Sequence, residues 1–155
     1  MSALLETIPA QPRVLLDSNT VLALWLFRDP KLPHLRAACE AGRFVLLARE
    51  ETLEELRRVL AYTQFAVAPD AQAALLAEYR ARVELVPAIE SEYLLPKCRD
   101  SDDQKFIELA FTGGANLLLS RDKAVLRLAK HRLLRERVAI ITPEAFERWL
   151  SGASG

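Results

Sequence analysis

The clearest structural signal in the chain is the stretch Arg13-Val14-Leu15-Leu16-Asp17. Its apolar run is too short for a helix and shows no polar alternation, which is typical of a strand buried on both faces. The acid at its end is followed directly by residues 20–27, which are apolar almost all round and predict a helix. A buried strand that leads straight into a helix indicates a parallel sheet covered by helices.

The same alternation of short apolar strands and helices continues to the end of the chain. Further strands are predicted at residues 44–47, 84–87, 116–120 and 138–141. Helices are predicted at residues 50–60, 69–83, 101–112, 122–130 and 143–150, and another opens at Pro30 or Pro33 and stops at Gly42. We therefore expect an α/β fold, a three-layer α/β/α sandwich with a central, mostly parallel five-stranded sheet. Residues 13–150 form this domain, between a flexible N-terminal arm at 1–12 and a C-terminal tail at 151–155.

The composition is that of a globular protein. The chain has 155 residues, 51% of them hydrophobic, which is enough for one packed core. Its 21 basic residues balance 21 acidic ones, which argues against a protein that coats nucleic acid through bulk positive charge. Cys39 and Cys98 form neither a zinc-like pair nor a disulfide framework. Because no signal peptide or membrane span is visible, we expect a cytoplasmic protein without membrane contact.

Acidic residues gather where the predicted strands end. Asp17 ends the first strand, Asp122 follows the fourth, and Asp103 lies near the start of the helix at 101–112. Glu55 lies on the helix that follows the second strand. Because ligands bind at the carboxyl ends of parallel strands, we expect these acids to meet at one edge of the sheet. Their carboxylates would repel one another, and Mg²⁺ or Mn²⁺, which prefer hard oxygen ligands, would resolve that conflict.

Each of these acids also has a purely structural interpretation. Asp is a preferred N-cap residue, and both Asp17 and Asp122 stand at predicted helix starts. The two neighbouring glutamates, Glu54 and Glu55, can be assigned different roles. Glu54 precedes Arg58 by four residues, which predicts an exposed ion pair. Glu55 lies nearer the apolar border of the helix and can point into the cleft, so it is the better site candidate.

Four motifs, taken in order, resemble those of the PIN-domain family and its toxin-like branch, the VapC-like toxin components of toxin–antitoxin systems. Asp17-Ser18-Asn19 is similar to the Asp-Thr-Asn that ends the branch's first strand, and residues 55–60 match its Glu-Leu followed by Val-Leu. Residues 98–106 resemble Cys-Arg-Asp-Pro-x-Asp-x-Lys-Phe, and residues 120–123 resemble Thr-Gly-Asp-Lys. The resemblance covers nearly the whole chain, and the order of its four parts makes it fairly specific.

The resemblance implies roles for individual residues. The family's catalytic, metal-binding acids fall on four positions, Asp17, Glu55, Asp103 and Asp122. Asp100 falls on an additional acid. The polar residues that support these acids or the attacking water fall on Asn19, Ser120 and Ser18. Ser18 and Ser120 replace threonines and keep the hydroxyl, whereas Arg121 replaces a glycine and adds a charge that can meet a phosphate.

The resemblance also implies an activity and partners. We expect an endoribonuclease that uses one or two Mg²⁺ or Mn²⁺ ions to hydrolyse RNA phosphodiester bonds. Members of this branch are usually homodimers, silenced by a small antitoxin protein. Arg121, Lys123 and Arg127 are candidates for RNA contact, although a solvated helix face explains them at least as well. The apolar run at 21–27 suits a dimer contact or, equally, a helix packed on both sides.

Two other functions stay open. A Mg-dependent aspartyl phosphotransfer domain also places Asp at strand ends. The chain, however, lacks the early acid pair of receiver domains, and it has Asp17-Ser18-Asn19 where a haloacid-type phosphatase has Asp-x-Asp. A PIN-like RNA-binding or regulatory module without catalysis is the second alternative, and the retention of all four acids argues against it.

Overall fold

One five-stranded sheet forms the centre of the part of the chain that the computed structural model describes, residues 3–88, 95 and 103–153. The strands are β1 Arg13–Leu16, β2 Val45–Ala48, β3 Val83–Leu85, β4 Leu117–Leu119 and β5 Ala139–Ile141. They pair in the order β3-β2-β1-β4-β5, and every pair is parallel. The expected parallel sheet is confirmed, and β1 lies at its centre.

Helices connect the strands. The α-helices are α1 Ser18–Val21, α2 Pro33–Glu40, α3 Glu50–Leu60, α4 Pro69–Arg82, α5 Gln104–Thr112, α6 Lys123–Leu126 and α7 Pro143–Ala153. α1 continues as a π-helical turn at Leu22–Leu26, and 3-10 turns occupy Ala3–Thr7, Thr63–Phe65 and Arg127–Lys130. Proline opens α2, α4 and α7, where the missing N–H would have no partner within the helix. None of these described helices is long and apolar enough to cross a membrane.

The sheet carries a hydrophobic core on each face, because successive side chains of a strand point to opposite sides. On one face Leu15, Leu47 and Leu118 pack with Phe106 and Ile107 of α5. On the other face the intervening strand residues pack with α1, α2, α3 and α7. These strand residues are Val14, Leu16, Leu46, Ala48, Leu117 and Leu119. Helices on both faces of a parallel sheet make the expected three-layer α/β/α sandwich, which is confirmed.

The helix predicted at residues 122–130 is shorter and changes type. Only Lys123–Leu126 is α-helical, and Arg127–Lys130 is a 3-10 turn. A 3-10 turn has three residues per turn, so it places residues i and i+3 on the same side. Leu128 of this turn packs against the core beside α5, in which Val125 of α6 is buried.

The N-terminal end of the described chain packs against the domain. Ala3–Thr7 forms a 3-10 turn, and the side chain of Leu5 is buried in the core at 1% exposure. Complete burial of a leucine side chain contributes about 1.5–3 kcal/mol, which is enough to hold a short turn against the domain. At the other end, α7 extends to Ala153, three residues into the predicted tail.

The apolar run at 21–27 is mostly core. Val21 to Leu24 are buried, and Trp25 packs edge-on against Tyr79 with 5.1 Å between ring centroids. Phe27 is 56% exposed and lies 5.6 Å from the ring of Phe65. Packing on both sides therefore accounts for the start of the run, and only its end presents an aromatic ring to the surface.

Candidate active site

Asp17 lies at the middle of the carboxyl edge of the sheet. β1 and β4 end at the same level, because Leu16 pairs with Leu119. The next residue of β1 is Asp17, and the next residue of β4 is Ser120. The Asp17 N–H still bonds to the Leu119 carbonyl oxygen at 3.3 Å, so the two chains stay paired to this point. This is the edge at which open parallel sheets bind ligands.

The Asp17 carboxylate is buried and held in one orientation. Its Oδ1 accepts the backbone N–H of Thr20 at 2.9 Å, which makes Asp17 the N-cap of α1. The residue is 7% exposed, and burial raises the pKa of its carboxyl because the charged form loses water. Hydrogen bonds from Thr20 and Ser120 oppose this rise, and the nearby charge of Glu55 adds to it. In the described part of the chain, no Lys, Arg or His forms an ion pair with Asp17.

Ser120 connects Asp17 with Asp122. The residue is completely buried, and hydrogen bonding from its side chain lowers the pKa of the Asp17 carboxyl. Its Oγ also accepts the backbone N–H of Asp122 at 3.0 Å. Asp122 is in turn the N-cap of α6, because its Oδ1 accepts the Ala124 N–H at 2.7 Å. One buried hydroxyl thus couples the positions of two candidate acids from neighbouring strand ends.

Glu55 reaches the same region from α3. Its carboxylate accepts a hydrogen bond from the Ser18 hydroxyl, directly beside Asp17. Its Oε1 also lies 2.8 Å from Nζ of Lys105, the second residue of α5. Both side chains of this ion pair are largely buried, with 16% of Glu55 and 14% of Lys105 exposed. A cation from α5 therefore offsets the charge of one of the two neighbouring carboxylates.

Glu54 faces the solvent, as expected, but with another partner. Its two carboxylate oxygens bond to Nε and Nη2 of Arg57 at 2.9 and 2.5 Å. The predicted ion pair with Arg58 is therefore wrong. Residues three apart on a helix are neighbours just as residues four apart are, and the planar fork of Arg57 takes both oxygens at once. Glu54 has no part in the cleft.

Three other predicted site residues are placed less centrally or lie outside the described residues. Asp103 is the N-cap residue of α5 and is half-buried. Asn19 is exposed on α1. Asp100 lies outside the described residues. Within residues 3–88, 95 and 103–153, no three acids, histidines or cysteines lie close enough together to hold a metal ion. The complete set of four acids therefore stays a prediction, and the described core of the site is Asp17 with Glu55.

The donor atoms of this pair suit a hard divalent cation. Mg²⁺ in proteins is commonly held by one or two carboxylates, with waters and substrate phosphates as its other ligands. A cation beside Asp17 would also offset the burial that raises the pKa of its carboxyl. Asp122, tied to Asp17 through Ser120, is the next carboxylate along the edge. The residues present therefore fit Mg²⁺ or Mn²⁺.

Arg121 is engaged by two carboxylates. Its Nε lies 3.0 Å from each Glu144 oxygen, and its Nη2 lies 3.2 Å from Oδ2 of Asp29. A phosphate contact by Arg121 would have to break these ion pairs, so the structure does not favour it. Lys123 and Arg127 are exposed and stay candidates for RNA contact.

Two residues of this site had no role in the sequence-based prediction. Lys105 lies in the matched motif at 98–106, so the motif marked its position without revealing its partner Glu55. Thr20 lies three residues after Asp17, at the position whose N–H an N-cap side chain accepts. Capping geometry would therefore have identified Thr20, whereas the ion pair of Lys105 depends on how α3 and α5 pack.

The buried Asp17 should make the stability of the metal-free protein depend on pH. Because burial raises the pKa of its carboxyl, the native state binds this proton more tightly than the unfolded state. The free energy of unfolding therefore falls as pH rises through the raised pKa. Asp17→Asn keeps a good N-cap without a charge and should flatten this fall. Thermal melts in EDTA from acidic to neutral pH measure this dependence. For a chain of this size, each kcal/mol of unfolding free energy shifts the melting temperature by about 2–4 °C. Equal slopes for both proteins would contradict the expectation.

A family model described as PIN domain matches residues 13–124. The match covers well over half of the chain, from the start of β1 to the first turn of α6, and so includes every candidate acid. No curated protein and no solved structure matches the chain.

Proposed function

Since the chain belongs to the PIN-domain family, whose members are generally nucleases, we propose that it is a metal-dependent ribonuclease. The observation that carries the proposal is the buried carboxylate of Asp17 at the centre of the sheet edge. An uncharged asparagine would cap α1 equally well without the cost of a buried charge, whereas a ligand for a divalent ion needs the carboxylate.

The residues around Asp17 prepare the site for phosphodiester hydrolysis. Thr20 and Ser120 fix the orientation of the Asp17 carboxylate through hydrogen bonds. Glu55 is held beside it by Ser18 and Lys105, in a position to bind the ion or to orient an attacking water. A bound Mg²⁺ or Mn²⁺ would supply Lewis-acid activation of water and offset charge on the phosphate. Asp103, Asp122 and Asp100 are proposed as further acids of the site by family resemblance.

The proposal is tested by incubating the purified chain with labelled structured and unstructured RNAs in Mg²⁺, Mn²⁺ or EDTA. We expect cleavage that requires the metal ion and generates internal fragments, as an endoribonuclease does. An RNA that is cleaved equally in EDTA would contradict metal dependence. Fragments that shorten only from one end would contradict endonucleolytic cleavage.

Removal of the Ser120 hydroxyl should weaken cleavage. Ser120→Ala deprives both the Asp17 carboxylate and the Asp122 N–H of a buried hydrogen bond. We expect the rate to fall by about tenfold, because Asp17 keeps its bond from Thr20. Ser120→Thr keeps the hydroxyl and matches the residue of the resembled motif, so it serves as the control. The measurement is the initial rate of cleavage by the two variants. An unchanged rate in Ser120→Ala would exclude a positioning role for the Ser120 hydroxyl.

We further propose that the chain is the toxin component of a toxin–antitoxin pair, cytoplasmic and homodimeric. The support is the order of the four motifs and, for the dimer, the exposed ring of Phe27 beside Phe65. Induced expression in growing bacteria should arrest growth, and Asp17→Asn should not. Arrest by both proteins would contradict a toxic ribonuclease. Light scattering of the purified chain tests the dimer.

The second candidate function is a PIN-like module that binds RNA without cleaving it. It is favoured by one observation, that no three potential metal ligands lie together within the described ranges. RNA binding without cleavage in any metal would select it over the ribonuclease. The family match leaves the aspartyl phosphotransfer alternative without support.

A further inference from the structure

Arg49 is a buried cation at the same sheet edge as Asp17. It follows directly after β2 and is the N-cap residue of α3. β1 and β2 pair with Arg13 opposite Val45, so the same register continued by four residues sets Asp17 level with Arg49. The residue is 7% exposed, which is rare for arginine unless its guanidinium is fully paired.

The guanidinium of Arg49 is only partly paired. Its Nη2 bonds to Oε1 of Glu51 at 2.5 Å. Its Nε is buried and has no hydrogen-bond partner among the residues that the structure describes. A buried N–H without an acceptor costs free energy, so the Nε of Arg49 needs an explanation, and a bound ligand is one.

Glu51 pairs with only one N–H group of the Arg49 guanidinium, whereas another arginine of α3 is paired through two. Arg57 of the same helix bonds through Nε and Nη2 to the two oxygens of Glu54. At Arg49 a single oxygen of Glu51 meets a single nitrogen, and the Glu51 side chain is 57% exposed. Glu51 can therefore turn into solvent and release Nη2, the neighbour of the unpaired Nε, for an incoming anion.

The start of α3 does not need the Arg49 side chain. The backbone N–H of Arg49 donates to Oγ1 of Thr52 at 3.0 Å, and the same hydroxyl donates to the Arg49 carbonyl oxygen at 2.9 Å. A guanidinium has no acceptor and cannot cap helix N–H groups itself. The hydrogen bonds of Thr52 therefore account for the backbone of Arg49 at the helix start. They give no reason for its buried guanidinium, which is available to a ligand.

We propose that Arg49 binds a phosphate of the RNA strand next to the bond that is cleaved, in exchange for Glu51. The proposal rests on the proposed ribonuclease function. The two free oxygens of a phosphodiester match the parallel N–H groups of an arginine fork, which Glu51 engages with one oxygen only. Because Arg49 lies level with Asp17, a phosphate held there places the backbone of the strand along the edge that carries the acids.

The test measures binding of a labelled single-stranded RNA to the full chain in an Asp17→Asn background, where cleavage does not interfere. Arg49→Gln should weaken binding by about tenfold, as loss of a charge-assisted hydrogen-bond pair does. The slope of log affinity against log salt should decrease in magnitude by about 0.7, the value for one phosphate contact on a single strand. Arg49→Lys should recover the salt slope but only part of the affinity, because it keeps the charge and loses the fork.

Two matched variants separate this role from a structural one. Arg57→Gln removes a cation from the exposed side of the same helix and should leave the affinity unchanged. Glu51→Gln removes the competing carboxylate and should tighten binding, whereas loss of a purely structural ion pair would not. Thermal melts of each variant establish that it is folded.

The outcomes distinguish this inference from the proposed function. Equal affinity and salt slope in the Arg49→Gln and Arg57→Gln variants would overturn the phosphate contact, even if the wild-type chain cleaves RNA. A weaker Arg49→Gln variant beside a wild-type chain that cleaves no RNA would support the contact and overturn the ribonuclease. Unchanged binding in Glu51→Gln would overturn the exchange with Glu51.

Discussion

Asp17→Asn is expected to lower the rate of RNA cleavage by at least about 10³-fold, because the ion that Asp17 would hold supplies several kcal/mol of charge stabilisation. The fold should survive, since asparagine has the same shape and is an equally good N-cap for the Thr20 N–H. Loss of the buried charge should even stabilise the metal-free protein at neutral pH, because burial raises the pKa of the carboxyl it replaces.

The measurement is single-turnover cleavage of a labelled RNA in Mn²⁺ by wild type and Asp17→Asn at equal concentration. The control is Asp70→Asn, which changes an exposed acid in the first turn of α4. We expect near wild-type cleavage from the control. Comparable rates in Asp17→Asn and wild type would show that the buried acid is no more than a helix cap.

Glu55→Gln is expected to reduce cleavage by about 100-fold, whereas Glu54→Gln should leave it unchanged. The two residues are adjacent on α3, so the pair keeps the helix, the charge change and the chemistry of the substitution constant. Glu55 faces Ser18 and Lys105 beside Asp17, and Glu54 faces Arg57 in solvent. Only the first substitution removes a carboxylate from the cleft.

Cleavage rates over a range of Mn²⁺ concentrations decide between two roles for Glu55. A rate that recovers at high Mn²⁺ indicates that Glu55 binds the ion, and a rate that stays low indicates that it orients water. Equal losses in the Glu54→Gln and Glu55→Gln variants would contradict the assignment, because the effect would then belong to the helix and not to the cleft.

Much of the fold follows from the spacing of apolar residues. α3 matches its predicted bounds, 50–60, because Leu53, Leu56 and Leu60 form one buried stripe on an otherwise polar helix. The leucine-rich runs of β1 and β4 predict strands buried on both faces, because they are too short for helices. The π-helical turn at Leu22–Leu26 was not visible, since a segment that is apolar all round has no periodicity to reveal its winding.

The site was predictable in part. Contacts set by the ends of predicted strands could be predicted, whereas contacts that depend on helix packing could not. Asp17 and Ser120 follow strands that the sequence reveals, so their shared edge could be predicted. The ion pair of Lys105 with Glu55 joins residues 50 apart, and it depends on how two helices pack. The unpaired Nε of Arg49 is likewise a product of packing, because Arg49 reads in the sequence as an ordinary residue before a helix.

The most direct test of the metal site is equilibrium binding of Mn²⁺ to the purified chain, followed through the electron paramagnetic resonance signal of the free ion. It needs no knowledge of which RNA is cleaved. We expect wild type to bind one or two ions saturably, Asp17→Asn to lose this binding, and Glu54→Gln to keep it. Equal Mn²⁺ binding by wild type and Asp17→Asn, or none by wild type, would contradict a metal site built on Asp17.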